Sequence, residues 1–348
     1  MRILVTGGAG FIGSHAALRL VESGHEVVVV DNLSRGRLGA IAAIDAMAPR
    51  GRFSFVRADV GDRALVGALL REHRIEAVMH FAALAYVGES VQEPLRYYGA
   101  NTAATIGLLG AMVDAEVTRL VFSSTCATYG EPDASSIPIA ETTPQRPVNP
   151  YGRSKLFVEQ ILQDHVAACA AAGRPFACAA LRYFNVAGAD ARSRLGEDHR
   201  PETHLIPLCL EVALGRRPAL TIFGTDYATS DGTCVRDYVH VEDLIDAHRM
   251  ALAALDDGVA SASLRCWNVG LGRGHSVREV VESCRRATGR AIPTTSAPRR
   301  AGDPPILYAD AGRIRGELGW MAKITDLDEI VASAWRWRKA NPDGYAET

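Results

Sequence analysis

The sequence predicts a doubly wound α/β fold: an open parallel sheet with helices on both faces, followed by a smaller mixed α/β domain. Three observations predict it. Short β-branched runs alternate with helix-compatible stretches through the first half of the chain. Those runs lack the polar alternation of half-exposed strands. A glycine-rich turn joins the first run to the first helical stretch.

The runs are 3–5, 27–30, 53–57, 77–81, 119–123 and 177–183. Strands buried on both faces by crossover helices have this apolar texture. Between them, 14–23, 62–73, 101–115 and 154–172 carry apolar residues at helical spacing. Right-handed crossovers then yield the parallel order. After Tyr183 the texture changes: 189–202 is polar, and later strand-like runs are brief and separated by Gly and Pro. The expected division is a first domain over 1–186, rejoined by 237–269, and a second built from 187–236 and 270–340. The run 264–269 is the strand expected to return to the main sheet.

Composition excludes several classes of function. Of 348 residues, 48% are hydrophobic and 22% charged, with a net charge of −2. That is a globular composition with no global field to draw nucleic acid or an anionic membrane. A small-molecule partner is expected, with any anion held by local groups. The seven cysteines form no Cys-x-x-Cys pair and no zinc-type spacing with histidine, so reduced thiols and no metal are expected. No apolar run reaches the ~18 residues of a membrane span. The chain opens directly into the strand-like Arg2–Thr6 with no leader, so the expected setting is the cytoplasm.

The turn after the first run reads Gly7-Gly8-Ala9-Gly10-Phe11-Ile12-Gly13. Glycines at 7, 10 and 13 permit a tight turn, close approach to a pyrophosphate and close packing of helix on strand, with the helix N-terminus facing the anion. Between a strand and a helix, this is the dinucleotide turn of a Rossmann-type sheet, with Phe11 and Ile12 within it. The second run ends in Asp31, followed by Asn32. A carboxylate there accepts from ribose hydroxyls and repels a 2′-phosphate, which favours NAD over NADP; Arg35 is the nearby group able to pair with such a phosphate. Asp59 and Val60 close the third run, where a carboxylate meets an adenine amino group or serves merely as a surface turn acid. Phe81, Ala82 and Ala83 end the fourth run and let backbone approach the cofactor, while His80 reads as a packed strand histidine.

Tyr151-Gly152-Arg153-Ser154-Lys155 puts a phenol and an ammonium four residues apart, on one helix face. A free tyrosine has a pKa of about 10. A neighbouring lysine and a positive nicotinamide ring stabilise the phenolate, which then takes a hydroxyl proton as hydride leaves the same carbon. Upstream, Phe122 to Gly130 places hydroxyls at a strand's C-terminal edge, where open α/β sheets bind ligands. Thr125 is the one expected to bridge substrate and phenolate.

Together these residues resemble the extended short-chain dehydrogenase/reductase family and, within it, the UDP-glucose/UDP-galactose 4-epimerases, over residues 2 to about 338. The resemblance implies Tyr151 as the base, Lys155 as its activator and Thr125 as the catalytic hydroxyl. It implies Asn101 at the nicotinamide side, Tyr183 as a further cofactor contact, and Asn185 as a sugar-diphosphate contact, both on the substrate-facing strand of Leu181 to Gly188. His204, followed by Leu205, stands where asparagine often meets the diphosphate. Thr221 and Phe223, then Arg236 and Tyr238, resemble the uridine and diphosphate segment; Arg300 with Asp303 resembles a second clamp. Arginine suits a diphosphate because its planar fork pairs with two oxygens. Leu307 borders the sugar pocket, and a homodimer through helices of the first domain is expected on the same likeness.

Dehydratases of this fold place acids just after the catalytic threonine; here those positions are Cys126 and Ala127. The expectation is therefore epimerisation of UDP-glucose and UDP-galactose through transient oxidation at carbon 4, with UDP-xylose and UDP-arabinose as the runner-up pair. An inactive NAD- and sugar-nucleotide-binding sensor is the reading from another class, and such proteins typically lose the tyrosine or lysine kept here.

Overall fold

The computed structural model describes residues 1–255, 262–300 and 303–346. Six strands and their crossovers come first: β1 (Arg2–Thr6), α1 (Phe11–Glu22), β2 (Glu26–Asp31), α2 (Leu38–Met47), β3 (Phe53–Arg57), α3 (Arg63–Glu72) and β4 (Ala77–His80). Short helices α4 (Val87–Gln92) and α5 (Pro94–Tyr97) lead through a π-helical turn, Tyr98–Ala103, into α6 (Ala104–Asp114). Then come β5 (Arg119–Ser123), the long α7 (Pro150–Ala171) and β6 (Ala177–Tyr183). The remainder is β7 (Asn185–Ala187), α8 (Leu205–Ala213), β8 (Leu220–Phe223), β9 (Val235–Arg236), β10 (Tyr238–His240), α9 (Val241–Ala254) and β11 (Ser263–Val269). It closes with β12 (His275–Ser276), α10 (Val277–Thr288), β13 (Thr294–Ala297), β14 (Ile306–Leu307), α11 (Gly312–Leu318) and α12 (Leu327–Ala340).

Among the described residues the main sheet has seven strands in the order β11-β6-β5-β4-β1-β2-β3, every pairing parallel. The order reverses between β1 and β4, and that switch point opens the crevice where such sheets take ligands. The run expected to return does lie in the sheet: β11 pairs along β6 from Ser263↔Ala177 to Val269↔Tyr183.

Alternate strand residues face opposite layers, which explains why the runs read as continuously apolar. Ile3, Val5, Val27, Val29, Met79 and Val121 pack under α1, α2 and α9. Leu4, Val28, Val30, Val78, Leu120 and Phe122 pack under α3, α6 and α7. The second region has its own core, where Ile206 and Leu210 of α8 meet Val280 and Val281 of α10 and Ile330 and Val331 of α12. Helix α2 was not foreseen. Its alanine-rich sequence has no side-chain cap and no acidic residue in its first turn, so neither start signal nor polar face marks it.

A buried ion pair locks β6 to α7. Arg182 donates to both Glu159 oxygens, at 3.1 and 2.6 Å, and also to Gln145 and the Tyr129 hydroxyl. Both side chains are under a tenth exposed. Removing one partner of such a pair leaves an uncompensated charge in low dielectric. Glu159→Ala should therefore lower unfolding free energy by about 3–5 kcal/mol in urea titration. A loss below about 1 kcal/mol, the range of exposed pairs, would contradict this.

Candidate active site

The C-terminal edge of the sheet gathers the expected cofactor residues. Gly7 has φ +71°, and a Cβ there would lie 2.5 Å from the Ala82 amide nitrogen; a Cβ on Gly13 would lie 2.2 Å from the Gly7 carbonyl oxygen. Backbone crowds both positions, so only glycine closes the turn. Gly10 is the N-cap of α1, with no side-chain cap and no acid in the first turn. The amides there and the helix dipole are open to an anion. Phe11 is buried and Ile12 half-buried beside them.

Asp31 accepts from the Ala9 amide at 3.0 Å and the Leu33 amide at 2.8 Å. Burial pushes its pKa up against those two donors. Its remaining lone pairs suit ribose hydroxyls. Arg35, the candidate for a 2′-phosphate, ion-pairs with Glu89 and lies 4.8 Å from the centre of the Tyr86 ring, so it is already engaged. Asn32 donates to Asp59 at 3.0 Å, and Asp59 also accepts from the Gly61 amide at 2.8 Å, so this acid shapes its own turn. Val60 packs into the core layer of α3 and α6. Phe81, Ala82 and Ala83 are half-buried at the end of β4, with Phe81 tilted against His248. An open helix start, an acid closing β2 and small residues after β4 together fit NAD.

Tyr151 sits in the first turn of α7 because Asn149 caps that helix, accepting from the Gly152 amide at 2.9 Å, and Pro150 takes the first helical position. The helix thus begins four residues before the expected 154. Lys155 and Glu159 follow at four-residue steps, both buried. The Lys155 ammonium donates to the Ser123 carbonyl at 2.8 Å and lies 4.8 Å from the centre of the Phe122 ring. Burial drives its pKa down to about 7, with Glu159 pulling the other way.

The lowered tyrosine pKa expected from this lysine does not appear in the protein alone. Burial pushes the Tyr151 phenol well above its usual range, Tyr183 adds to this, and the Thr125 hydroxyl opposes it. The ammonium is held at the Ser123 carbonyl, so phenolate formation needs positive charge beyond Lys155. Thr125 has extended backbone and accepts from the Ala127 amide at 3.1 Å, turning the chain at the end of β5. Burial raises the Cys126 thiol to about 12, which leaves it no role as an acid.

The Asn101 side chain is engaged within the protein. Its amide donates to the Leu84 carbonyl and to Ser154, each at 2.9 Å, and accepts from the Leu84 amide at 2.8 Å. It fastens the segment after β4 to α7 and has no donor left for a nicotinamide. It is the buried residue of the π turn Tyr98–Ala103. His80 is a packed strand histidine between Thr6 and Thr105.

Tyr183 shares a hydrogen bond with Ser123, and on the substrate side the Asn185 amide donates to the Asp237 carbonyl at 2.9 Å. His204 occupies the N-cap position of α8 without a side-chain cap bond, with Leu205 beside it half-buried; Glu197 and Glu202 raise its imidazole to about 10 against the effect of burial. Thr221 and Phe223 lie on β8, and the Arg300 guanidinium stacks over Phe223 at 4.0 Å. Arg236 is not a free clamp: it ion-pairs with Asp303 and donates to the Pro304 carbonyl at 2.6 Å. Tyr238 is buried, and its ring belongs to the core of the second region. Leu307 packs with Tyr129, Ile139 and Phe184.

Sequence reasoning missed Ser123, whose carbonyl orients the lysine, and Tyr97, whose ring meets Tyr151 edge-on at 6.5 Å. It also missed Glu159, although the spacing of Tyr151, Lys155 and Glu159 on one helix face was a readable signal.

Residues 3–270 match the model of the NAD dependent epimerase/dehydratase family. The chain belongs to that family, and its place there is among the epimerases. It is 47% identical over 347 residues to a UDP-glucose 4-epimerase of Halalkalibacterium halodurans, covering 99% of this chain and 98% of that protein. It is 48% identical over 351 residues to UDP-arabinose 4-epimerase 1 of Arabidopsis thaliana, covering 99% and 81%. A crystal structure of UDP-glucose 4-epimerase from Stenotrophomonas maltophila, with bound NAD and formylated UDP-arabinopyranose, superposes with a TM-score of 0.91 at 44% identity over 99% of both chains. The Bifidobacterium longum UDP-glucose 4-epimerase in complex with NAD+ and UDP gives 0.91 at 39% identity, over 99% of this chain and all of that one. Among the described residues no helix is long and apolar enough to cross a membrane.

The buried lysine has a stability signature. Its folded pKa of about 7 lies below its unfolded value, so the unfolded chain binds the extra proton at intermediate pH. Stability is lowest below pH 7 and rises with pH through the folded pKa towards about 10. Lys155→Met should raise Tm at pH 6, with the gain shrinking by pH 9, while turnover falls. A variant that melts below the parent at pH 6 would refute the assignment.

Proposed function

We propose that the chain interconverts UDP-glucose and UDP-galactose by reversible oxidation at carbon 4 of the sugar. The observation that carries this reading is the convergence of Tyr151, Lys155 and Thr125 at the end of β5, with no acid at Cys126 or Ala127. Bound NAD supplies a reversible hydride acceptor. Tyr151 takes the hydroxyl proton and later returns it, Lys155 holds positive charge behind it, and Thr125 aligns the hydroxyl. Epimerisation requires the oxidised sugar to turn over while its diphosphate stays fixed. Asn185, His204, Arg236 and Arg300 are the proposed diphosphate and uridine contacts.

UDP-xylose and UDP-arabinose form the second proposed pair, supported by the near-equal likeness to epimerases named for either sugar. These pairs differ by one hydroxymethyl group. An apolar wall such as Leu307 and Phe184 discriminates that group only weakly, by about 1–3 kcal/mol. Seven free thiols support a reducing, cytoplasmic setting.

A homodimer is proposed through α4, α5 and α7, where Val91, Leu95 and Phe157 expose large apolar side chains and Phe157 stacks on Tyr98 at 5.7 Å. Leu95 is 83% exposed. Such a cluster is a contact surface rather than scattered surface apolarity.

Incubation of the purified protein with UDP-galactose, without added NAD, should form UDP-glucose with no net NADH. Tyr151→Phe should cut the rate by about 10²–10⁴-fold. No interconversion of UDP-hexoses or UDP-pentoses, even with NAD supplied, would overturn the proposed function. Leu95→Glu should shift the protein from dimer to monomer in sedimentation at micromolar concentration. A monomeric parent, or a variant that stays dimeric, would remove this surface as the interface.

A further inference from the structure

The segment from Glu197 to His204 reads Glu-x-His-x-x-Glu-x-His, and the reaction above uses only its last residue. The chain folds it so that one ligand atom from each of Glu197, His199, Glu202 and His204 comes within 4.8 Å of the other three. His204 Nδ1 lies 2.8 Å from Glu197 and 3.1 Å from Glu202. His199 Nδ1 lies 3.1 Å from Glu197 and 3.9 Å from Glu202. Tetrahedral zinc with bonds near 2.0–2.1 Å separates its ligand atoms by about 3.4 Å. These four separations bracket that spacing, and all four ligand atoms lie within 4.8 Å of one another.

A second observation points into the same place. Tyr86 is 7% exposed, yet its hydroxyl has no hydrogen-bond partner among the described residues. Its ring meets His199 and His204 at 5.9 and 6.2 Å, steeply inclined to both. Glu202 and Glu197 both act on its phenol. Buried hydroxyls normally find a partner, and a metal-bound water or carboxylate would give Tyr86 one. The two carboxylates supply negative charge for a divalent cation. Neighbouring Asp198 is turned away to Arg37 and Arg338, so it does not compete for that ion.

We propose that Glu197, His199, Glu202 and His204 form a binding site for a divalent transition-metal ion, zinc by donor set. Two imidazoles with two carboxylates match zinc better than the all-oxygen preference of magnesium or calcium. The site lies between the cofactor turn and α8, with Phe11 edge-on to His199 at 6.5 Å. A metal on His204 Nδ1 fixes the ring proton on Nε2 and makes that nitrogen a donor. It also pins the segment that presents this donor. Binding displaces any proton on the coordinating nitrogens into solvent.

The test uses the full chain, stripped with a chelator and titrated with zinc chloride by calorimetry and by competition with a chromogenic chelator. One equivalent per chain is expected, with heats that change with the ionisation enthalpy of the buffer. His199→Gln and, separately, Glu202→Gln should each weaken zinc binding by more than about tenfold, since even outer-shell changes cost that much. Circular dichroism checks that each variant folds. Because zinc binding is read without turnover, it can hold or fail independently of the epimerase reading. Stoichiometry below one-tenth, or affinity unchanged in both folded variants, would overturn the proposal and leave the four residues as an ion-pair cluster.

Discussion

The bond from the Lys155 ammonium to the Ser123 carbonyl is the contact on which the rest of the site depends. It joins the helix that carries Tyr151 to the strand end that carries Thr125. Both partners are buried, so neither can exchange the bond for water at little cost. One turn further along α7, Glu159 repeats the arrangement with Arg182 on β6 and with Ser124 at the end of β5. Two polar fasteners thus set the depth of α7 against two adjacent strands. Tyr151 is placed as a consequence, at the N-terminal end of the same helix.

The cofactor crevice is built mainly from backbone. Gly7 and Gly13 approach neighbouring main chain too closely for any side chain, and α1 begins without an acid or a cap that would compete with a bound anion. The side chain that contributes most, Asp31, is itself fixed by amides from the turn and from the segment after β2. The acid proposed to discriminate between nicotinamide cofactors is therefore held in place. The arginine best placed to relax that discrimination is bound to Glu89.

The sheet was legible because its strands are apolar on both sides, and the site was legible wherever chemistry required one residue type: glycine at 7 and 13, acid at 31, the tyrosine and lysine of α7. Legibility failed where function depended on hydrogen-bond partners distant in sequence. Asn101 reads as a cofactor residue by position, yet all three of its bonds go to Leu84 and Ser154, a commitment no local pattern reveals. Tyr238 lies in a segment rich in polar residues but faces the second core. The start of α7 was misplaced because spacing of apolar residues was weighed above the Asn149-Pro150 start signal.

With Arg236 as the proposed diphosphate contact, its pair with Asp303 accounts for how such a site would exist in a chain of almost neutral net charge. A buried guanidinium without a partner would be costly, and Asp303 with the Pro304 carbonyl satisfies it while no diphosphate is bound. A diphosphate then exchanges for, or adds to, an existing partner instead of meeting a bare cation. The gain on binding is smaller than an isolated arginine–phosphate contact would suggest, because one charge-assisted bond replaces another. Arg300, stacked on Phe223 at 4.0 Å, is held by its flat face and keeps its edge donors for a ligand. On the same proposal, Arg300 is the arginine whose pairing would change most when the diphosphate binds, since Arg236 already has Asp303.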